Sequence, residues 1–288
     1  MNITIKSISI DDVLEYDRVR YNTNNHRINN IRPENYYDYI KNTHTDKWIE
    51  QFKEYTKIII DTKHDINWMN KAFHIGSQTK RFPHLYDDEL EDMCIRYNKK
   101  YGKIFDGKSY FIRTANVSLK EGKYGNGPYK DFRSIIESIV TCRVGHSPLY
   151  GDTTFITLYL IKFEENLNRL QEFRVFVHKN KITAISQQSL YESNTILTKL
   201  DITNRIQLII KWCNIIFEYF ENEVKKRIKH IESYTMDFAI LNDLTPYFIE
   251  LNSFGKEYAS GSALFGWIQD ESILYGTNDN SIEFRYTI

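Results

Sequence analysis

The chain has 288 residues, 41% of them hydrophobic and 26% charged, which excludes a wholly disordered protein and leaves length for one large or two ordinary domains. Its 38 basic side chains balance 38 acidic ones, so no net field draws it to nucleic acid or to an anionic membrane. Cys94, Cys142 and Cys213 stand far apart without a Cys-x-x-Cys pair, and the histidines show no ligand spacing, which argues against a structural zinc site and a disulfide framework.

In chain order, the first 46 residues are polar, rich in Asn, Tyr and Arg, and weakly periodic. They read as an arm, an elaboration of the first domain or a partner-binding segment, and "MNITIKSISIDDV" has no signal-peptide pattern. "WIEQFKEYTKIII" from Trp48 predicts a short helix leading into a strand. Asp87 to Tyr101 predicts a helix with acidic residues at its start and one apolar stripe of Leu90, Met93, Cys94, Tyr97 and Tyr101. Gly102 follows where a C-terminal cap belongs.

The next eight residues, "GKIFDGKS" from Gly102 to Ser109, match the phosphate-loop pattern letter for letter. A phosphate loop needs a strand before it and a helix after it, so that helix amides face the phosphates. Here a helix comes first and a strand, "SYFIRTANVS", comes next, so a cap and a turn at Asp106-Gly107 are expected instead. "KEGKYGNGPYK" predicts a mobile glycine-containing turn, and "DFRSIIESIV" a short helix capped by Asp131.

Three strands are predicted in "TFITLYLIKF", "EFRVFVHKN" and "KITAISQQS", the last two joined by a turn at Lys179-Asn180-Lys181. In "EFRVFV", Glu172 and Arg174 share one strand face and are expected to form a structural ion pair. The clearest helix runs from Asn204 to Ile231, with Ile206, Ile209, Ile210, Cys213, Phe217, Phe220, Val224 and Ile228 near its inward face. Lys211, Asn214 and Glu218 interrupt it, so it is too polar to span a bilayer, and a cytoplasmic protein is expected.

"YTMDFAILNDLTPYFIELNS" carries the strongest candidate chemistry. A hairpin centred between Asp243 and Leu244 sets Asp237 opposite Glu250, and two facing carboxylates repel. A divalent cation removes that penalty, and hard oxygen ligands are what magnesium prefers. Asn252 projects from the same face as a third oxygen donor, and Phe248 is expected to flank Glu250 there. Arg113, Lys120, Lys162 and Arg174 are candidate cationic partners for phosphates. A solvated acidic face on an edge hairpin is the alternative.

Taken together, "EFRVFVHKNKITAISQ", the long helix, "MDFAI", "YFIELNSFG" and "ALFGW" resemble the cell division cycle protein 123 family, in collinear order from Trp48 to Trp267. The resemblance implies an α+β ATP-grasp fold, two α/β lobes with mainly antiparallel sheets sandwiching a nucleotide. It divides the chain into a divergent segment 1–47, an N-terminal lobe 48–160 with a phosphate-covering flap, and a C-terminal lobe 161–288 with a magnesium site. It further implies that Arg113 replaces a phosphate-contacting lysine, that Lys120 is a basic flap residue, and that Leu160 and Lys162 lie on the adenine-holding hinge strand. Glu172 and Arg174 approach the nucleotide, and Asp237, Glu250 and Asn252 form the magnesium triad. ATP and magnesium are the cofactors so implied.

The implied function is an assembly factor for eukaryotic translation initiation factor 2, with its gamma subunit as partner and no nucleic acid or membrane involved. An ATP-grasp ligase or phosphotransferase, and a binding module with a vestigial nucleotide site, are the alternatives; whether ATP is turned over stays open. Departures from the family pattern include Glu250 in place of Asp, Ser253 in place of Pro, Asn116 and Val117 in place of an aromatic-serine pair, and Gln188 in place of Arg.

Overall fold

Two sheets, one of six strands and one of three, organise the described residues. The structure is a computed structural model that describes residues 2–24, 32–149, 153–258, 260–277 and 281–288. Among the described residues the strands are β1 (Ile3–Ile8), β2 (Tyr55–Ile60), β3 (Tyr110–Arg113), β4 (Ile156–Lys162), β5 (Glu172–His178), β6 (Lys181–Gln187), β7 (Tyr234–Ile240), β8 (Pro246–Ser253) and β9 (Ile282–Thr287). The α-helices are α1 (Ile10–Glu15), α2 (Tyr36–Lys41), α3 (Ile49–Phe52), α4 (Lys63–Thr79), α5 (Asp87–Tyr101), α6 (Phe132–Thr141), α7 (Thr195–Thr198), α8 (Ile202–Tyr219), α9 (Lys225–Arg227) and α10 (Glu271–Leu274). Two units result: one of Met1–His44 with Asn166–Ile288, the other of Thr45–Glu165.

In the unit of Thr45–Glu165 the sheet order is β2-β4-β3, antiparallel throughout. Its buried face presents Ile58, Ile60, Ile112, Leu158 and Leu160, and the apolar stripes of α4, α5 and α6 pack into the same core. Alternation explains the sidedness of β2: Ile58 and Ile60 are buried, whereas Ile59 between them is exposed. α5 has the predicted bounds, with Asp87, Asp88 and Glu89 in its first turn and Lys99 and Lys100 in its last, each sign where the helix dipole favours it.

Gly102 does not act as a left-handed cap. It stays right-handed at φ −54°, and the chain runs on as a 3₁₀ turn to Phe105 before Gly107 takes φ +64°. The reversal that a glycine permits therefore comes five residues later than expected. Asp131 caps α6 as predicted, its Oδ1 accepting from the Ser134 N–H at 2.7 Å.

In the other unit the sheet order is β1-β9-β6-β5-β7-β8. The pairs around β5, β6, β7 and β8 are antiparallel, while β9 runs parallel to both β1 and β6. Residues 3–8, for which the sequence leaves three readings open, are thus an edge strand. Lys179 and Asn180 both adopt positive φ, +48° and +59°, and close the β5–β6 hairpin.

One face of this sheet carries α8, through Trp212 against Phe173 at 5.4 Å and Tyr219 against Phe238 at 5.3 Å. The helix continues through a π-helical turn, Phe220–Val224, into α9. Ile209, Trp212, Cys213, Ile216, Phe220 and Val224 are buried, whereas Ile206 and Ile210, expected inward, are 41% and 40% exposed. "LIIKWCNIIF" is apolar on more than one side, so periodicity leaves the helix rotation open, and the bulk of Trp212 against Phe173 selects it. The opposite face is covered by Phe254, Phe265 and Trp267 packed on Phe176.

Candidate functional site

Strand β7 is buried along its whole length, and its residues alternate between the α8 face and the Trp267 face. Asp237 lies opposite Glu250 in the β7–β8 ladder and opposite Arg174 in the β5–β7 ladder, and Asn252 lies opposite Thr235. The predicted pairing of Asp237 with Glu250 is therefore present. It holds only on one side of a bulge, because Phe238 next pairs with Phe248 and leaves Ile249 as the extra residue.

That bulge corrects the expectation for Phe248. Directly opposed residues share a face, so Phe248 joins Phe238 toward α8, and its ring is buried there rather than flanking Glu250. The extra residue reverses the alternation between the turn and the acidic pair. Glu250 keeps the face that Asp237 occupies, and the bulky ring moves away from it.

Arg174 pairs across the ladder with Asp237, not along its own strand with Glu172. Its Nε donates to Asp237 Oδ1 at 2.9 Å and its Nη2 to Oδ2 at 2.8 Å, a two-pronged contact between two buried groups. Asn252 Nδ2 donates to Asp237 Oδ2 at 3.3 Å and to Glu250 Oε1 at 3.4 Å. Burial raises the Asp237 carboxyl above the ordinary carboxylate range; Arg174 opposes the rise and neighbouring Glu250 adds to it. With both acids ionised, the two carboxylates and one guanidinium sum to one negative charge.

This donor set fits a hard divalent cation. Two carboxylates and an amide, which presents its Oδ1 when turned over, are the oxygen ligands magnesium takes. Among the described residues no group of three or more His, Cys, Asp or Glu side chains converges to hold an ion alone. An ion here would use Asp237, Glu250 and Asn252 and complete its shell with oxygens of phosphate and water. Glu172 opens β5, opposite Ala239 in the ladder, and its carbonyl accepts from the Gln188 N–H at 2.9 Å.

The remaining candidates lie in the unit of Thr45–Glu165. Arg113 ends β3, 5% exposed, with its guanidinium 5.4 Å from the Trp48 ring centroid and its Nε donating to Thr45 Oγ1 at 3.4 Å. Leu160 is buried in the central strand, between Thr56 of β2 and Ile112 of β3, and Lys162 ends that strand opposite Tyr110. Lys120 is exposed on a 3₁₀ turn, Leu119–Glu121. Sequence reading passed over Lys53, which burial and, after the opposing effect of Glu164, the charge of Arg113 push down to about 7. A lysine between a short helix and a strand gives no pattern that separates it from a solvated one.

The segment "GKIFDGKS" follows α5 and feeds β3, as its context required, and Lys108 is exposed. With ATP as the ligand that the resemblance implies, Lys108→Ala is expected to leave affinity within about twofold of wild type in calorimetry, and Arg113→Ala to lower it by about tenfold, the size of a lost charge-assisted hydrogen bond. The turn predicted to be mobile is docked instead. Lys123 N–H donates to Thr141 Oγ1 at 2.8 Å, Tyr124 N–H to Ser138 Oγ at 3.2 Å, and the Lys123 ammonium and Tyr124 hydroxyl both reach Glu137, at 2.5 and 2.8 Å.

Residues 146–287 match the family model D123. The chain aligns with the structure of Cdc123 from Schizosaccharomyces pombe at 15% identity and a TM-score of 0.56, covering 86% of this chain and 97% of that one. With a C-terminally truncated Cdc123 from the same organism the identity is 15%, the TM-score 0.53 and the coverage 86% and 97%. No curated protein matches. The structural likeness shows the fold, a mixed α+β architecture shared with Cdc123, in line with the α+β class expected from the sequence. Arg174, Asp237, Glu250 and Asn252 fall within the stretch the family model matches, whereas Arg113 and Lys120 precede it.

Proposed function

We propose that the chain, whose residues 146–287 match the family model D123, belongs to that family, binds magnesium–ATP and acts as an assembly factor, or a divergent relative of one, for eukaryotic translation initiation factor 2. The observation that carries this reading is the ladder register that sets Asp237, Glu250 and Asn252 on one sheet face with Arg174 locked beside them. Magnesium bound there would offset phosphate charge and hold the phosphates in one orientation. Arg174 keeps both Asp237 oxygens in a fixed plane, and the Asn252 Nδ2 bridges the two carboxylates, a place the cation would take once the amide turns its Oδ1 inward.

Glu250→Ala tests the site with the least damage to the fold, because Glu250 is only half-buried and Arg174 keeps its partner Asp237. Calorimetry with magnesium–ATP should show affinity falling by about tenfold or more, with little change in affinity for ATP alone in chelator. Equal magnesium–ATP affinity in the wild type and Glu250→Ala would remove the site assignment. For the partner, the gamma subunit of the initiation factor is the protein to offer in co-purification, and a cytoplasmic location accords with it.

A further inference from the structure

Arg174 is anchored at a third nitrogen. Its Nη1 donates to the Gly261 carbonyl at 2.6 Å, and that carbonyl belongs to residues 260–267, which form no helix or strand of their own. Their place is set from the other end of the sequence. The Asn22 N–H donates to the Ala263 carbonyl at 2.6 Å, and the Ser262 N–H donates to the Thr23 carbonyl at 3.2 Å. Thr23 N–H donates to Ser262 Oγ at 2.8 Å, the two hydroxyls lie 3.0 Å apart, and Thr23 Oγ1 accepts from the Trp267 N–H at 2.8 Å.

Asn22 also packs on Gly261 itself. A Cβ at Gly261 would lie 2.6 Å from Asn22 Oδ1, so the Asn22 side chain would have to shift, and 3.5 Å from Arg174 Nη1, an ordinary contact. Asn22 holds φ +49°, a left-handed conformation that asparagine adopts more readily than most residues. Its Nδ2 donates to the Tyr191 hydroxyl at 3.0 Å, which in turn donates to Asp17 Oδ1 at 2.8 Å. A buried guanidinium deprived of an acceptor carries a desolvation penalty, so the Gly261 carbonyl fixes where Arg174 sits.

We propose that Asn22 and Thr23 are positioning residues of the acidic site: they hold residues 260–267 so that the Gly261 carbonyl keeps the Arg174 guanidinium on Asp237. Neither lies in the stretch that the family model matches. The proposal gives residues 17–23 of the polar N-terminal segment a defined task, bracing the strand face that bears Asp237, Glu250 and Asn252. Its bearing on magnesium rests on the function proposed above; the bracing of Arg174 does not.

The test is solvent exchange of the Arg174 Nε–H, followed by nitrogen-15 NMR in the intact protein without metal or nucleotide. Thr23→Val, which keeps the side-chain shape, and Asn22→Gly, which keeps the left-handed backbone, are each expected to speed that exchange by about tenfold, as one lost charge-assisted hydrogen bond would. Thr23→Ser should restore the wild-type rate. Arg205 Nε, which donates to the Leu197 carbonyl at 2.9 Å in the same unit, should not change. An unchanged Arg174 rate in either folded variant, or equal acceleration at Arg205, overturns the proposal. A manganese titration of the wild type separates the two readings: exchange that responds in a protein that binds no manganese leaves this inference standing and removes the metal site, and the converse removes this inference alone.

Discussion

On the proposed function, Asp237→Ala is expected to abolish magnesium–ATP binding and, unlike Glu250→Ala, to destabilise the fold by about 3–5 kcal/mol. The cause is the partner left behind. Arg174 is 9% exposed and spends two of its donors on Asp237, so removing the carboxylate strands a positive charge where water does not reach it. Replacing both members of the pair separates the two losses. In Asp237→Leu with Arg174→Met the buried charges disappear together, and stability should return to within about 1 kcal/mol of wild type, since apolar replacement of a buried ion pair is often neutral. Binding should not return. Urea unfolding measures the first quantity and calorimetry with magnesium–ATP the second. A single Asp237→Ala variant as stable as wild type would mean that Arg174 finds other acceptors and that the pair is not the anchor described above.

Much of this was legible in the sequence, for reasons that can be stated residue by residue. Short-range signals gave the elements: the Asp131 cap, the acid-to-base gradient of α5 and the Lys179-Asn180 turn all act within a few residues of where they stand. The acidic pair was legible because an antiparallel ladder converts a turn position into a list of facing residues. The same arithmetic failed at Phe248, since the bulge at Ile249 depends on packing that no local pattern records. Three further features were hidden because they join distant segments: the Arg174–Asp237 pair across 63 residues, the Thr23–Ser262 contact across 239, and the rotation of α8 set by Trp212. Glycine and lysine in "KEGKYGNGPYK" suggest freedom, yet what decides mobility is whether a partner surface lies within reach.

Gly122→Ala puts that last point to the test and is expected to cost about 3 kcal/mol, the upper range for forcing extra volume into a packed contact. A Cβ at Gly122 would lie 2.4 Å from the Ser138 carbonyl oxygen and 2.9 Å from both the carbonyl carbon and Cα of the same residue. All three are backbone atoms of α6, held by the helix, so the turn rather than the helix must give way. Once it lifts, the Lys123 and Tyr124 amides lose Thr141 and Ser138, and Glu137, 7% exposed, loses both its cation and its hydroxyl donor. Gly125→Ala provides the control: its Cβ would meet only the Lys120 carbonyl at 3.9 Å, and its φ of +57° alone should cost about 1–2 kcal/mol. Hydrogen exchange read at Lys123 and Tyr124 should therefore accelerate far more in Gly122→Ala than in Gly125→Ala. Equal protection in the two variants would show that close approach to α6 does not hold the turn. On the proposed function, Gly122→Ala should also weaken magnesium–ATP binding by releasing the turn that carries Lys120, while leaving the Arg174–Asp237 pair intact.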